Sequence, residues 1–243
     1  MAFRCGPRRL AAALLVLALR VGPAEAVVGG VAAPADGAVM VLSSQGGVCT
    51  GIVVAADAVL TAGHCAAGGL EHRVHFRGEA GEPILVEVAA RMVHPGYDSG
   101  AIAGRRRSVD LALLRTATPL PARFAPAPLS TAMPRAGESL TLSGYGADRP
   151  GDPRSTGTFR SVALPVIEPY GPSRILVWLR AAGRAGGCQG DSGGPVSRDG
   201  GVLAVTAWIG GACGGLTQGV LLAPQRDWLD RTLAGWGRAA HWV

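Results

Sequence analysis

Apolar residues in this chain come in short runs, and that pattern limits the fold more than any other feature. Val39–Ser43, Val48–Val54, Ala58–Ala62, Arg73–Arg77 and Ile84–Val93 are β-branched or alternating stretches broken by Gly, Asp and Pro. Ser139–Ser143, Arg160–Val166, Arg174–Leu179, Val202–Ala207 and Gly219–Ala223 repeat the pattern after the midpoint. Runs of this length and punctuation predict strands, and many short strands at modest spacing predict antiparallel barrels or sandwiches. Four prolines fall within residues 119–128, which excludes a central strand or helix interior there and predicts a connection between two β units. Only Gln225–Trp236 looks helical, with Trp228, Leu229, Leu233 and Trp236 near one face. No strand–helix alternation occurs, so a parallel doubly wound sheet is not expected.

The first residues belong to a different logic. Arg4, Arg8 and Arg9 precede an uninterrupted apolar run from Leu10 to Leu19, and Ala24-Glu25-Ala26 follows. That order predicts an export signal over 1–26, with a run too short to cross a bilayer, which takes roughly 20 residues. Removing 1–26 takes away four arginines and one glutamate, so a net charge of +6 on 243 residues becomes +3 on 217. The basic excess would otherwise suggest nucleic acid; half of it belongs to the signal, and no nucleic-acid partner is expected. Cys5 leaves with the signal, and Cys49, Cys65, Cys188 and Cys213 remain. An even number suits an oxidising compartment, with three pairings open. No membrane span is expected after processing, and the mature chain is expected outside the cell.

Three segments carry chemistry. They are Leu60-Thr61-Ala62-Gly63-His64-Cys65, Ser108-Val109-Asp110-Leu111-Ala112-Leu113-Leu114 and Gly187-Cys188-Gln189-Gly190-Asp191-Ser192-Gly193-Gly194-Pro195. Taken singly, each has an ordinary structural reading: a histidine beside a cysteine, an aspartate opening a strand, a tight glycine turn. Together they supply what amide hydrolysis at neutral pH needs. Ser192 would be the nucleophile, His64 the general base and then acid, and Asp110 the carboxylate that orients the imidazole. Glycines beside the serine let the backbone aim the N–H groups of Gly190 and Ser192 at a developing oxyanion. The string from Gly190 to Gly194 also satisfies a Gly-x-Ser-x-Gly elbow. That fold needs a histidine well after the serine and helices between strands; only His241 follows Ser192. His72 and His75 lie three apart on a strand and face opposite ways, so no metal site is expected.

With these motifs on the page, the chain resembles the chymotrypsin/trypsin-like serine endopeptidases over essentially all of 27–243. Val27-Val28-Gly29-Gly30 resembles that family's mature N-terminus, His94-Pro95-Gly96-Tyr97 precedes the Asp segment, and Ser143-Gly144-Tyr145-Gly146 is similar to a Ser-Gly-Trp-Gly motif. The resemblance implies an all-β fold of two antiparallel six-stranded β-barrels with the active site between them and a short C-terminal helix. The first barrel would span 27–118 and carry His64 and Asp110, and the second 129–243 and carry Ser192, with 119–128 linking them. It also implies disulfides Cys49–Cys65 and Cys188–Cys213. The secreted, bacterial type of the family is the expected one.

The resemblance further assigns an activation pair. The freed ammonium of Val27 would fold inward onto Asp191, and the predicted cut after Ala26 would itself release Val27. It places Gly186 at the base of the specificity pocket, Ile209 at its wall and Gly219 on the far side. Without a carboxylate at Gly186 and with a branched Ile209, small or medium apolar residues are expected before the scissile bond. Ala207 departs from the family, which usually has a hydrogen-bonding serine there. Glu79 and Glu82 are too few for a calcium loop, Arg105–Arg107 reads as a solvated loop, and no cofactor is expected. Peptide and protein substrates, and protein protease inhibitors, are the expected partners of a monomer. The rival expectation is a protease fold kept as a non-catalytic binding module.

Overall fold

The structure, a computed structural model, describes residues 1–2 and 27–243, so the predicted export signal lies outside the described residues apart from its first two. Thirteen strands run in the order β1 (Val31–Ala32), β2 (Ala38–Ser43), β3 (Val48–Ala55), β4 (Ala58–Thr61), β5 (His72–Arg77), β6 (Pro83–Val93), β7 (Ala112–Thr116), β8 (Ser139–Gly144), β9 (Arg160–Ile167), β10 (Leu176–Leu179), β11 (Pro195–Arg198), β12 (Gly201–Gly210) and β13 (Leu216–Leu221). One α-helix, α1 (Arg226–Gly235), follows them.

The strands close into two antiparallel barrels of six. The first runs β2-β3-β4-β7-β6-β5 and closes through the β2–β5 pair. The second runs β8-β9-β10-β13-β12-β11 and closes through β8–β11. Strand alternation sorts the core. On β7, Ala112 and Leu114 face into the first barrel with Val39, Val53 and Phe76, while Leu111 and Leu113 face a second cluster shared by both barrels. That shared cluster joins Ile52 and Leu60 to Leu129, Val205 and Val220 across the seam, and Leu229 and Leu233 of α1 roof it. Trp228 and Trp236 pack at its margin, so the apolar face read from the helix sequence is the buried one.

The 119–128 stretch contains neither strand nor helix, and it tucks Leu120 and Phe124 under the first barrel. Phe124 meets Phe76 edge-on, with ring centroids 4.9 Å apart. The ends of the chain cross over. Although 27–32 precedes the first barrel, β1 pairs with β9 of the second, and Val27 is buried there with Leu140, Leu164 and Val177. At the other end Arg238 reaches back to Asp57 of the first barrel, Nε to Oδ1 at 2.6 Å. Among the described residues, no helix is long and apolar enough to cross a membrane.

Candidate active site

His64 sits on a single turn of 3₁₀ helix, Gly63–Cys65, directly after β4. Asp110 lies just before β7, the strand that pairs with β4, so the two ladder neighbours deliver both residues to one end of the barrel. The carboxylate holds the histidine twice. Oδ1 accepts from the His64 backbone N–H at 2.8 Å, and Oδ2 lies 2.7 Å from Nδ1. Because a carboxylate only accepts, Nδ1 carries the proton and the lone pair is left on Nε2. Gly63 makes this approach possible: a Cβ there would lie 2.9 Å from Asp110 Oδ1 and 3.1 Å from the Tyr97 ring. The Cys49–Cys65 disulfide ties the same turn to β3.

Ser192 comes from a loop of the second barrel that threads against the first. Thr50 on β3 organises it: its N–H donates to Ser192 O at 2.8 Å, and its hydroxyl donates to Gly190 O at 2.8 Å. Gly193 has φ +85°, and a Cβ there would fall 2.0 Å from Thr50 O and 2.2 Å from Thr61 Oγ1. No side chain fits, which is why the loop needs glycine after the serine. With the Gly190 carbonyl bound to Thr50, the N–H groups of Gly190 and Ser192 donate to no protein group among the described residues. Two uncommitted donors flanking one side chain form an anion-binding corner.

Beneath the loop, Asp191 is fully buried. Burial pushes its carboxyl up to about 7, against the lowering effect of N–H bonds from Cys188 and Gly146, both at 2.8 Å. The carboxylate wedges against Gly144 and Gly146, where a Cβ would come within 2.3 Å and 2.5 Å of it, so the Ser143-Gly144-Tyr145-Gly146 motif is its seat. Val27 is likewise wholly buried, its segment anchored by the Val28–Gly186 bridge. Among the described residues no hydrogen bond joins Val27 to Asp191.

His64, Asp110 and Ser192 line one cleft of about 300 Å³ between the barrels, together with Ile209, Thr206 and Gln218. The Ser192 hydroxyl makes no hydrogen bond to His64 among the described residues, and Nε2 lies 3.5 Å from Cys65 Sγ. Such bonds are often unformed in ligand-free sites. Ile209 lines the cleft, packed on the Cys188–Cys213 disulfide. Gly186 and Gly219 do not line it: Gly186 is occupied by the bridge to Val28, and Gly219 lies within β13 opposite Thr206. Ala207 faces the cleft without a hydroxyl, and among the described residues the Asp110 carboxylate is hydrogen-bonded by His64 alone, through its backbone N–H and Nδ1. Arg106, expected as solvated loop, pairs with Asp98 at 2.7 Å and lines the cleft wall. Sequence reasoning missed Thr50, Thr206 and Gln218. Thr50, directly after Cys49, carried a positional signal, whereas the other two look like ordinary strand residues.

The family described as Trypsin matches residues 27–229. Human kallikrein-8 is 27% identical over 177 residues, which is 68% of each chain. Mouse serine protease 56 is 32% identical over 219 residues, 77% of this chain and 35% of that protein. Mouse brain neuropsin, a serine protease, superposes with a TM-score of 0.72 at 21% identity over 85% of this chain and 99% of its own, a likeness of fold. Human heparin binding protein gives 0.72 at 25% identity over 88% and 99%. These relatives are mammalian, so they lend no support to the bacterial type expected from the sequence.

Proposed function

The chain belongs to the trypsin family, and from that premise we propose that it is a secreted, extracellular serine endopeptidase working through His64, Asp110 and Ser192. The observation that carries this reading is the doubly bonded His64–Asp110 pair facing the cleft that holds Ser192. In the reaction, Ser192 Oγ attacks the scissile carbonyl while His64 Nε2 takes its proton. Asp110 stabilises the imidazolium, and the negative oxygen sits against the N–H groups of Gly190 and Ser192. His64 then gives the proton to the leaving amine as the C–N bond breaks, and an acyl-Ser192 ester remains. Water, deprotonated by His64, hydrolyses that ester and restores the serine.

Activation follows from the predicted signal cut. Cleavage after Ala26 exposes the Val27 ammonium, and Asp191 is a buried carboxyl with two N–H donors and no ion-pair partner among the described residues. A cation arriving there stabilises its charged form, so export and activation are one step. For specificity, Ile209 narrows the cleft, and the lining carboxylates Asp98 and Asp110 are already paired with Arg106 and His64, which favours small or medium apolar residues before the scissile bond. A preference for arginine in a chromogenic peptide series overturns that assignment. Proteins and peptides are the substrates, substrate-like protein inhibitors the expected antagonists, and a monomer the working form.

The second reading, a non-catalytic binding module, draws on the unformed Ser192–His64 bond and on the likeness to heparin binding protein. Labelling by a fluorophosphonate separates the two. Protein starting at Val27 is expected to label and Ser192→Ala to lose labelling entirely; an unlabelled, correctly processed wild type favours the module.

A further inference from the structure

Inside the cleft one hydroxyl has nothing to bond. Thr206, on β12, is 1% exposed and lines the cleft with Ser192, yet its Oγ1 lacks a hydrogen-bond partner. Its backbone is fully engaged and fixes where the side chain stands: its N–H donates to Gly194 O at 2.9 Å, and its carbonyl accepts from Gly193 N at 2.7 Å. Thr206 is thus clamped to the two residues that follow the nucleophile. Across the ladder its partner is Gly219, which has no side chain to offer. Ala207 and Ile209, its neighbours along the cleft wall, are hydrocarbon.

Burying a hydroxyl without a partner is unfavourable, and valine has the same shape without the cost. The ionic groups of the same cleft are already matched, Arg106 to Asp98 and His64 to Asp110. Among the described residues no group of the cleft bonds the Thr206 hydroxyl. We propose that Thr206 is a specificity-determining residue whose hydroxyl bonds the side chain of the substrate residue donating the scissile carbonyl. Within the size limit set by Ile209 it selects threonine over valine and serine over alanine, which keeps the preference for small residues above and replaces its apolar character. This inference rests on the peptidase reading above.

The test uses protein starting at Val27 and two pairs of fluorogenic peptides, differing only as Thr against Val or Ser against Ala before the cleaved bond. One net hydrogen bond corresponds to a preference of roughly five- to tenfold in kcat/KM for the hydroxyl-bearing member of each pair. In Thr206→Val that ratio is expected to fall to about one, and in Thr206→Ser, which keeps the hydroxyl, to persist. A wild-type ratio at or below one overturns the proposal, as does a ratio unchanged by Thr206→Val. Should Thr206→Val fail to fold, the wild-type ratio still decides. Fluorophosphonate labelling of the wild type keeps the two readings apart: labelling with a flat ratio overturns this proposal alone, and no labelling overturns both.

Discussion

Asp191 shows how one side chain can couple covalent processing to stability. Its ordinary value is 3.8, and burial raises it to about 7 in the fold. Between those values the folded chain keeps a proton that the unfolded chain has released. Raising the pH from about 4 to 7 therefore lowers the stability of a chain still extended beyond Val27, and above 7 the loss is complete. A Val27 ammonium paired with the carboxylate reverses the preference and favours the ionised form. Thermal melts at pH 5 and pH 8 check this: the extended chain is expected to lose markedly more stability than the chain beginning at Val27, and equal losses contradict the pairing. The proposed catalytic residues stand out at this scale because each sits in a local string with its own steric reason. Gly63 makes room for Asp110, and Gly193 makes room for Thr50 and Thr61. Thr206 was not legible, since nothing in a strand sequence marks a hydroxyl as lacking a partner. Nor could the positions of Gly186 and Gly219 be read locally, because a bridge to Val28 and the register of β12 on β13 decide them.

Most strands were visible in the sequence wherever β-branched residues alternate between turn residues. Absent from the ten runs were β1, β7 and β11, with β7 entering only as the strand that Asp110 opens. In β11 the four residues Pro195–Arg198 have no apolar run of their own, and pairing with β8 and β12 on either side makes them a strand. The two residues of β1 exist as a strand only because β9 pairs with them. β13 begins earlier than expected, at Leu216 rather than Gly219, because the glycines before it hide its start. Helix α1 matched its reading, and its C-terminal anchor adds a testable element. Asp57 is buried, which by itself raises its pKa, but hydrogen bonds and charge from Arg238 and Arg115 outweigh this and hold it below the ordinary carboxylate range. Arg238→Ala leaves Asp57 with Arg115 alone, at 3.2 Å, and a loss of stability is expected. The stabilisation is present above the carboxylate's unfolded value and disappears as pH falls through its lowered folded value. Urea melts of wild type and Arg238→Ala at pH 7 measure it, and coincident curves refute it.

At the scale of the whole molecule the two barrels are interlocked by their ends. The first strand completes the sheet of the second barrel, and the last helix roofs the seam beside the first. Leu229 and Leu233 are wholly buried there, each worth about 1.5–3 kcal/mol of burial, with Trp228 and Trp236 packed beside them. A chain ending before Arg226 is expected to lose most of a typical 5–15 kcal/mol stability and to show no cooperative thermal transition. A sharp melt from that truncated chain contradicts this role for the helix. Barrel number and closure followed from strand count and family resemblance, but the exchange of ends did not, because it depends on pairings between residues more than a hundred positions apart.

That exchange also sets a timetable for a ribosome. The last strand of the first barrel ends at Thr116, whereas the helix sealing the seam begins at Arg226. At about 5–20 residues per second, the nascent first half waits on the order of ten seconds with Ile52, Leu60, Leu111 and Leu113 uncovered. The second barrel, whose edge strand is made before its others, has all its strands once β13 emerges, while its own seam residues Val205 and Val220 still await the helix. The interval before α1 emerges is when a holding chaperone has apolar surface to grip.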